Sequence, residues 1–345
     1  MRSALLVSAL FAVACTGATV QPATQDSEAA IWSYATRGAN LRAQSCPDDA
    51  PFASAPDLTL RVIDAERGTE QARTKNLDGL TLAGAWQLES DNSGFGGVSG
   101  LDVLSAELLL AVTDDGKFIW IGMDAQTGAP DGTGNIAYMR DQDGKIFPNK
   151  RSADAEDLSV RDGLAFVSFE QTHRIMAYDL ATCGSAARAA MVTNLNKVVD
   201  RRVLEDNRGA EALAFADDGL SVGFETRRRT GSPIGTVRTD GTLAELDRLT
   251  QPNLYLLTGM DSVGDLSATV FRAYDPLRGA RVLLRVARDD IEIASAALRP
   301  PLPVDNFESV AIGRNPAGKT RIWLISDDNF SNDQRTLLLA LDLTE

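Results

Sequence analysis

Charged side chains recur at the ends of apolar segments along most of the chain. The segment LLLAVTD ends at Asp114, AFVSFE ends at Glu170, 56 residues later, and LSVGFE ends at Glu225 after another 55. Grouped carboxylates transfer protons or bind hard divalent cations such as calcium, which prefer oxygen ligands. The spacing therefore indicates a site assembled from repeated units. The five members of this series are Asp114, Glu170, Glu225, Arg272 and Asp327.

A second series of glutamates precedes the same segments. Glu156 lies in AEDL, Glu211 lies in AEAL 55 residues later, and Glu308 lies in FESV. Both series share one period, which favours a structural repeat over coincidental spacing. Further oxygen donors stand close to these series in the sequence, at Asn207 and Asn329.

The repeated unit is predicted to consist of short β-strands. Its apolar segments are rich in Val, Ile, Phe and Trp and are separated by Asp-Gly turns such as Asp162-Gly163. A unit of about 50 residues made of short strands is typical of a β-propeller. We therefore predict an all-β fold with the propeller over residues 80–345. Five or six blades of this size fit the length of residues 80–345, and we favour six.

Equivalent positions of successive blades lie on rings around a propeller axis. Glu156, Glu211 and Glu308 are thus expected to converge at one end of the channel, where their charges repel unless protons or cations intervene. The alternative is that these acids cap turns and form structural salt bridges with arginines. The predicted ligands of a calcium ion are Asp114, Glu156, Glu170, Asn207, Glu211, Glu225, Glu308, Asp327 and Asn329.

Positive side chains follow the strand ends and could bind an anion. His173 and Arg174 follow Glu170 by three and four residues, Arg228 follows Glu225 by three, and Arg272 occupies a strand end itself. The guanidinium group matches the oxygens of a phosphate. We predict that His173, Arg174 and Arg228 bind substrate, although the arginines at 227–229 also fit a solvated turn.

Composition narrows the classes of function. The chain of 345 residues has 34 Lys and Arg against 48 Asp and Glu, a net charge of −14, which disfavours nucleic acid and anionic membranes as partners. One histidine is too few for a histidine-rich zinc site. Three cysteines exclude a disulfide scaffold.

The N-terminus resembles an export signal. Arg2 precedes an apolar run over residues 4–14, and Cys15 follows. Residues 1–14 are predicted to be a signal peptide, removed by ordinary cleavage or at a lipobox that leaves a lipid on Cys15. The product would be a periplasmic or outer-membrane lipoprotein, or a secreted protein. Residues 15–79 would form a linker and a segment that flanks the propeller.

Export would place the remaining cysteines in an oxidising compartment. Cys46 and Cys183 are then an even pair, and a disulfide between them would tie the N-terminal segment to the propeller. Two unpaired buried thiols are the alternative.

Several segments together resemble the phytase-like family of exported bacterial proteins, described by esterase-like activity of phytase. They are FGGVSGLDVL, AVTDDG, DAEDLSV, NRGAEALAF, FRAYDPLRGARV and DNFESVA…IWLISDDNF. The resemblance covers residues 80–345 and implies a β-propeller that hydrolyses phosphate esters, with site residues at the two acidic series. The chain departs from the family pattern at the fourth strand end, where Phe271-Arg272 replaces Glu-Arg.

These observations predict an exported hydrolase of small phosphorylated substrates. Glu156, Glu211 and Glu308 would bind metal or, in one case, act as the general base, and Arg272 would hold phosphate oxygens. A non-catalytic propeller that binds a ligand or protein is the alternative. A metal-dependent lactonase or other ester hydrolase is a third hypothesis.

Overall fold

The protein is described from a computed structural model that covers residues 28–344, except 49, 196–197, 200–201, 206–207 and 227–229. The signal peptide and Cys15 therefore lie outside the described residues. No helix in this part of the chain has the length and apolar character that crossing a membrane requires. The first elements are α1 (Tyr34–Ser45), β1 (Asp57–Thr59), β2 (Arg61–Asp64), α2 (Glu70–Asn76), β3 (Leu77–Asp78) and β4 (Leu80–Glu89).

The rest of the described chain forms four-stranded antiparallel units. Unit 1 contains β5 (Val98–Ser105), β6 (Leu108–Thr113), β7 (Lys117–Met123) and β8 (Pro130–Tyr138). After α3 (Lys150–Ala153), unit 2 contains β9 (Ala155–Arg161), β10 (Leu164–Phe169), β11 (Arg174–Asp179) and, after α4 (Leu180–Cys183), β12 (Ala190–Asn194). A small hairpin of β13 (Val198–Val199) and β14 (Arg202–Val203) follows.

Units 3 to 5 repeat this arrangement. Unit 3 contains β15 (Ala210–Ala216), β16 (Gly219–Phe224), β17 (Ser232–Val237) and β18 (Leu243–Leu249). Unit 4 contains β19 (Leu256–Val263), β20 (Leu266–Asp275), β21 (Gly279–Arg288) and β22 (Ile291–Leu298). Unit 5 contains β23 (Phe307–Arg314), β24 (Thr320–Ser326), β25 (Thr336–Leu343) and, as its fourth strand, β4.

The five units are the blades of a β-propeller. Their first strands, β5, β9, β15, β19 and β23, each contact the next, and β23 returns to β5, so the ring is closed. Apolar clusters fill the spaces between adjacent blades. The propeller prediction is confirmed, but the preference for six blades is wrong. The strand-end series has five members, and β4 completes blade 5 instead of starting a blade of its own.

The segment before β4 wraps around the outside of the blades. β1 pairs with β8 of blade 1, β2 pairs with β4 of blade 5, and β3 pairs with β22 of blade 4. These short strands cover outer edges that would otherwise be exposed. Cys46, at the end of α1, forms a disulfide with Cys183 of α4, with a Cα–Cα distance of 5.7 Å. The structure thus confirms the disulfide hypothesis.

Buried aspartates join the inner strands of neighbouring blades. Asp102 of blade 1 accepts a hydrogen bond from the amide of Val160 in blade 2 (2.5 Å), and Asp261 of blade 4 accepts one from Ile312 in blade 5 (2.7 Å). Asp157 of blade 2 accepts from the amide of Leu213 in blade 3 at 2.8 Å. Because a carboxylate accepts without donating, it suits backbone amides that have no strand partner.

Asp157→Asn should destabilise the propeller. Asp157 is fully buried and also accepts from Leu158 N (2.9 Å) and Ser309 Oγ (3.1 Å), so an amide would place an N–H group against a donor. We expect a loss of about 1–3 kcal/mol in the free energy of unfolding, measured by urea denaturation. The exposed Asp289→Asn in the β21–β22 turn is the control and should change little. An unchanged urea midpoint for Asp157→Asn would contradict this role.

Candidate functional site

The strand register places both sequence series at one end of the propeller. The first residue of an inner strand pairs with the last residue of the second strand in blades 1, 2, 3 and 5, as for Ala155 with Phe169 and Ala210 with Phe224. In blade 4, Leu256 pairs with Arg272. The residues around these pairs therefore surround the same opening of the channel, which we call the mouth.

Each inner strand has a β-bulge near its start. The bulged residue has no partner in the second strand of its blade, and the five bulged residues form a ring around the channel. In blade 2 the pairing passes from Ala155 to Asp157 and omits Glu156; in blade 3 it passes from Ala210 to Ala212 and omits Glu211. A bulge re-aims a side chain away from the alternating pattern of the strand. The five bulged residues are Ser99, Glu156, Glu211, Thr258 and Glu308.

The two hydroxyl residues of this ring support its glutamates. Ser99 Oγ donates to the carbonyl of Ala155 (2.6 Å), and Thr258 Oγ1 donates to the carbonyl of Phe307 (3.1 Å). Those carbonyls belong to the residues just before Glu156 and Glu308. The hydroxyl of one blade thus fixes the backbone that presents the carboxylate of the next.

Three carboxylates on the blade 2 side form a group that fits a metal ion. Asp154, Glu156 and Glu170 each offer an oxygen, and these three atoms lie within 4.8 Å of one another. Asp154 and Glu170 are buried, while Glu156 is partly exposed toward the channel. Clustered carboxylate oxygens are the donor set of hard divalent cations. Asp154, which precedes Glu156 in DAEDLSV, was not among the predicted ligands.

Glu170 and Glu211 form a hydrogen-bonded carboxyl pair. The amide of Gly209 donates to Glu170 Oε1 (3.2 Å) and to Glu211 Oε1 (3.3 Å). Burial, followed by repulsion from Glu170, Glu225 and Glu308, raises the pKa of Glu211 well above its usual range. Burial raises the pKa of Glu170 to about 7, and its bond to Glu211 opposes the rise. Both members of the pair therefore hold a proton to a higher pH than an ordinary glutamate does.

Two other acids of the mouth are neutralised by arginines. Arg272 Nη1 lies 2.9 Å from Glu308 Oε1 and also donates to Asn306 Oδ1, while Arg208 Nε lies 3.4 Å from Glu225 Oε1. Burial alone would lower the pKa of Arg272, but Glu308, Glu225 and other carboxylates raise it overall. Glu308 and Glu225 thus fit a metal less well than the blade 2 group.

Of the remaining predicted ligands, Asp114 and Asp327 lie at the mouth, and the side-chain amide of Asn329 is bonded to a neighbouring side chain. Asp114 Oδ2 lies 2.5 Å from Lys150 Nζ, and burial raises the pKa of Asp114. Burial also raises the pKa of Asp327 to about 7, with further contributions from Glu308 and Asp114. Asn329 is exposed, and its amide donates to Gln334 Oε1 at 2.9 Å. Asn207 lies outside the described residues.

The structure places Arg174 beside Phe169, at the mouth end of blade 2, but buries its side chain. Its guanidinium stacks on Phe169 (4.3 Å to the ring centroid), and its Nη2 donates to the carbonyl of Ser152 at 2.5 Å. His173 is 1% exposed, which leaves little of its surface for a substrate. Arg228 lies outside the described residues. Arg272 is the predicted cation that does line an open space, a cavity of about 650 Å³ that it shares with Asn306 and Asn329.

Without metal, the stability of the protein should fall as the pH rises from 5 to 8. Glu170 and Asp327 have raised pKa values of about 7, so the folded state binds more protons than the unfolded state up to that pH. Carboxyls with lowered pKa values, such as Asp124 and Asp240, titrate below this window. We expect the Tm measured in a chelator to drop by roughly 5 °C.

Millimolar calcium should reverse this drop at pH 8 and have a smaller effect at pH 5, where protons compete for the carboxylates. Glu170→Gln removes one raised pKa and should flatten the pH profile. A Tm that rises between pH 5 and 8 in the chelator would contradict the assignment.

A family model named phytase-like, "Esterase-like activity of phytase", matches residues 93–269, just over half of the chain. No curated protein matches the sequence.

Similar solved structures include the PQQ-bound aldose sugar dehydrogenase from Streptomyces coelicolor, with 14% identity and a TM-score of 0.44 over 85% of this chain and 99% of that chain. Another is glutaminyl cyclase from Myxococcus xanthus, with 10% identity and a TM-score of 0.42 over 77% and 97%. Neither match bears on activity.

Proposed function

The chain belongs to the phytase-like family, and on this premise we propose that it hydrolyses phosphate esters at the acidic mouth of its propeller. The observation that carries the proposal is the group formed by Asp154, Glu156 and Glu170, whose oxygens lie within 4.8 Å of one another. A divalent cation, for which we propose calcium, would supply positive charge for an anionic substrate and lower the pKa of a water molecule.

Other residues near this group would bind the substrate and transfer protons. Arg272 is held by Glu308 and Asn306, and it lines the open cavity, so its guanidinium can orient phosphate oxygens. Glu170 and Glu211 share a proton between two carboxyls with raised pKa values. As water attacks phosphorus and the ester bond breaks, Glu211 would give its proton to the leaving oxygen, while the proton of the water, whose pKa the cation would lower, would pass to the solvent.

Two other functions remain as alternatives. Arg272 replaces an acid in the strand-end series and neutralises Glu308, which favours a non-catalytic propeller that binds an anionic ligand. Calcium-dependent stabilisation without turnover would support that alternative. A lactonase or other ester hydrolase shares the carboxylate chemistry, and activity on a lactone but not on a phosphate ester would support it.

We also propose that the protein is exported, either to the periplasm or outer membrane with a lipid on Cys15 or as a secreted protein. The Cys46–Cys183 disulfide supports this proposal, because such bonds persist in oxidising compartments. Mass spectrometry of the protein purified from its producing cells tests it. An N-terminus that still begins at Met1 would contradict processing before Cys15.

Glu211→Gln should lower kcat for a phosphate monoester such as p-nitrophenyl phosphate by about 100-fold or more, because it removes the proton donor. Calcium should still bind, with an affinity lowered by less than about tenfold, because Glu211 contacts the ligand Glu170 but lies outside the group of three carboxylates. Phosphate release and isothermal calorimetry measure the two effects.

Glu107→Gln, in the exposed β5–β6 turn, is the charge-matched control. If the wild-type protein with calcium releases no more phosphate from p-nitrophenyl phosphate or phytate than Glu211→Gln does, the proposed activity is wrong.

A further inference from the structure

Lys150 holds two carboxylates at the edge of the candidate metal site. Its Nζ lies 2.5 Å from Asp114 Oδ2 and 3.0 Å from Asp154 Oδ1, and 3.3 Å from the carbonyl of Asp114. Asp154 belongs to the group that fits a cation, whereas Asp114 lies on the neighbouring blade. The ammonium thus already occupies one side of the site.

Lys150 would compete with a metal ion for the carboxylate of Asp154. Asp154 is buried, and its Oδ2 accepts a hydrogen bond from Gln171 Nε2 at 2.5 Å. Its Oδ1 is the oxygen that Lys150 contacts, so a metal ion that binds this oxygen has to displace the ammonium. A divalent cation and an ammonium on one carboxylate would lie a few ångströms apart and repel each other.

The side chain of Lys150 is also able to move. Lys150 begins the four-residue helix α3 in the connection between blades 1 and 2, and its side chain is 53% exposed. Its partners Asp154 and Asp114 are 5% and 22% exposed, so solvent screens these ion pairs only in part, and the larger charge of a divalent cation is needed to displace the ammonium. Asp114, which is 22% exposed, would keep the released ammonium near the mouth.

We propose that Lys150 is a resident counter-ion that a metal ion displaces from Asp154, and that the displaced ammonium then binds an oxygen of the substrate phosphate. This inference rests on the proposed function and names a substrate-binding residue that neither sequence series contains. Lys150 would approach the phosphate from the blade 1–2 side. Arg272 would approach it from blade 4.

The test compares Lys150→Met with wild type in two binding measurements on the full chain. Removing the competing charge should tighten calcium binding by about fivefold or more, measured by calorimetry and by terbium luminescence. The affinity for inorganic phosphate at saturating calcium should weaken by about tenfold, because one charged phosphate contact is lost. A purely structural role would not give these opposite signs.

Two variants control for charge and folding. Lys145→Met makes the same charge change at an exposed position of the same connection and should leave both affinities near those of wild type. Lys150→Arg keeps the positive charge and should keep calcium affinity within about twofold. Weaker calcium binding by Lys150→Met, or unchanged affinities for both ligands, would overturn the inference.

The outcomes separate this inference from the proposed function. If the opposite shifts are found but the wild-type protein hydrolyses no phosphate ester, the proposed function fails and the role of Lys150 in binding stands. If wild type hydrolyses esters but Lys150→Met shows no opposite shifts, only the inference fails. Absence of calcium binding by the wild-type protein would overturn both.

Discussion

The mouth of this propeller depends on one repeated backbone irregularity. Each inner strand carries a bulge at the same position, and the bulged residue, Glu156 in blade 2 for example, leaves the pairing ladder. In a regular strand its side chain would follow the alternation of its neighbours, and the carboxylates would not be gathered by the ring. Because the bulge recurs with the sequence period of about 55 residues, it brings the charged side chains of successive blades together at the mouth.

Convergence of carboxylates costs stability, and the fold offsets that cost unevenly around the ring. Arg272 and Arg208 neutralise Glu308 and Glu225, so one side of the mouth consists of ion pairs. On the blade 2 side, three carboxylates remain closely spaced, and Lys150 lies at the edge of this group. The asymmetry comes partly from the sequence of blade 4, where arginine replaces the strand-end acid and Thr258 replaces the ring glutamate, and partly from Arg208, which precedes blade 3. Chemistry is therefore expected on one side of a pseudo-symmetric opening.

The sequence predicts the elements that repeat and misses those that occur once. The period and the Asp-Gly turns predict the propeller fold. They also predict the convergence of both series, because equivalent positions of successive blades lie close together around a propeller axis. The blade number was overestimated, since the strand at residues 80–89 pairs across the closure with the C-terminal strand, and no local pattern reports that partner. The four-residue offset of Arg174 from Glu170 predicts a side chain that faces the mouth, yet its guanidinium stacks on Phe169. Asp154 occupies the position of Gly97 in blade 1 and Asn306 in blade 5, so its backbone repeats but its carboxylate does not. Lys150 lies in the short helix α3, and periodicity could identify neither side chain.

The pairing of β4 with β25 has a consequence for how the protein is made. Blade 5 draws one strand from near the beginning of the propeller and three from its end, and it carries Glu308 and Asp327. During synthesis β4 emerges early with β2 beside it, but its partner on the blade side, β25, becomes available only when the last strand is made. Contacts between such distant parts of a chain form late in folding. Ribosome-bound or prematurely terminated chains would therefore lack a finished mouth, which links ligand binding to completion of translation.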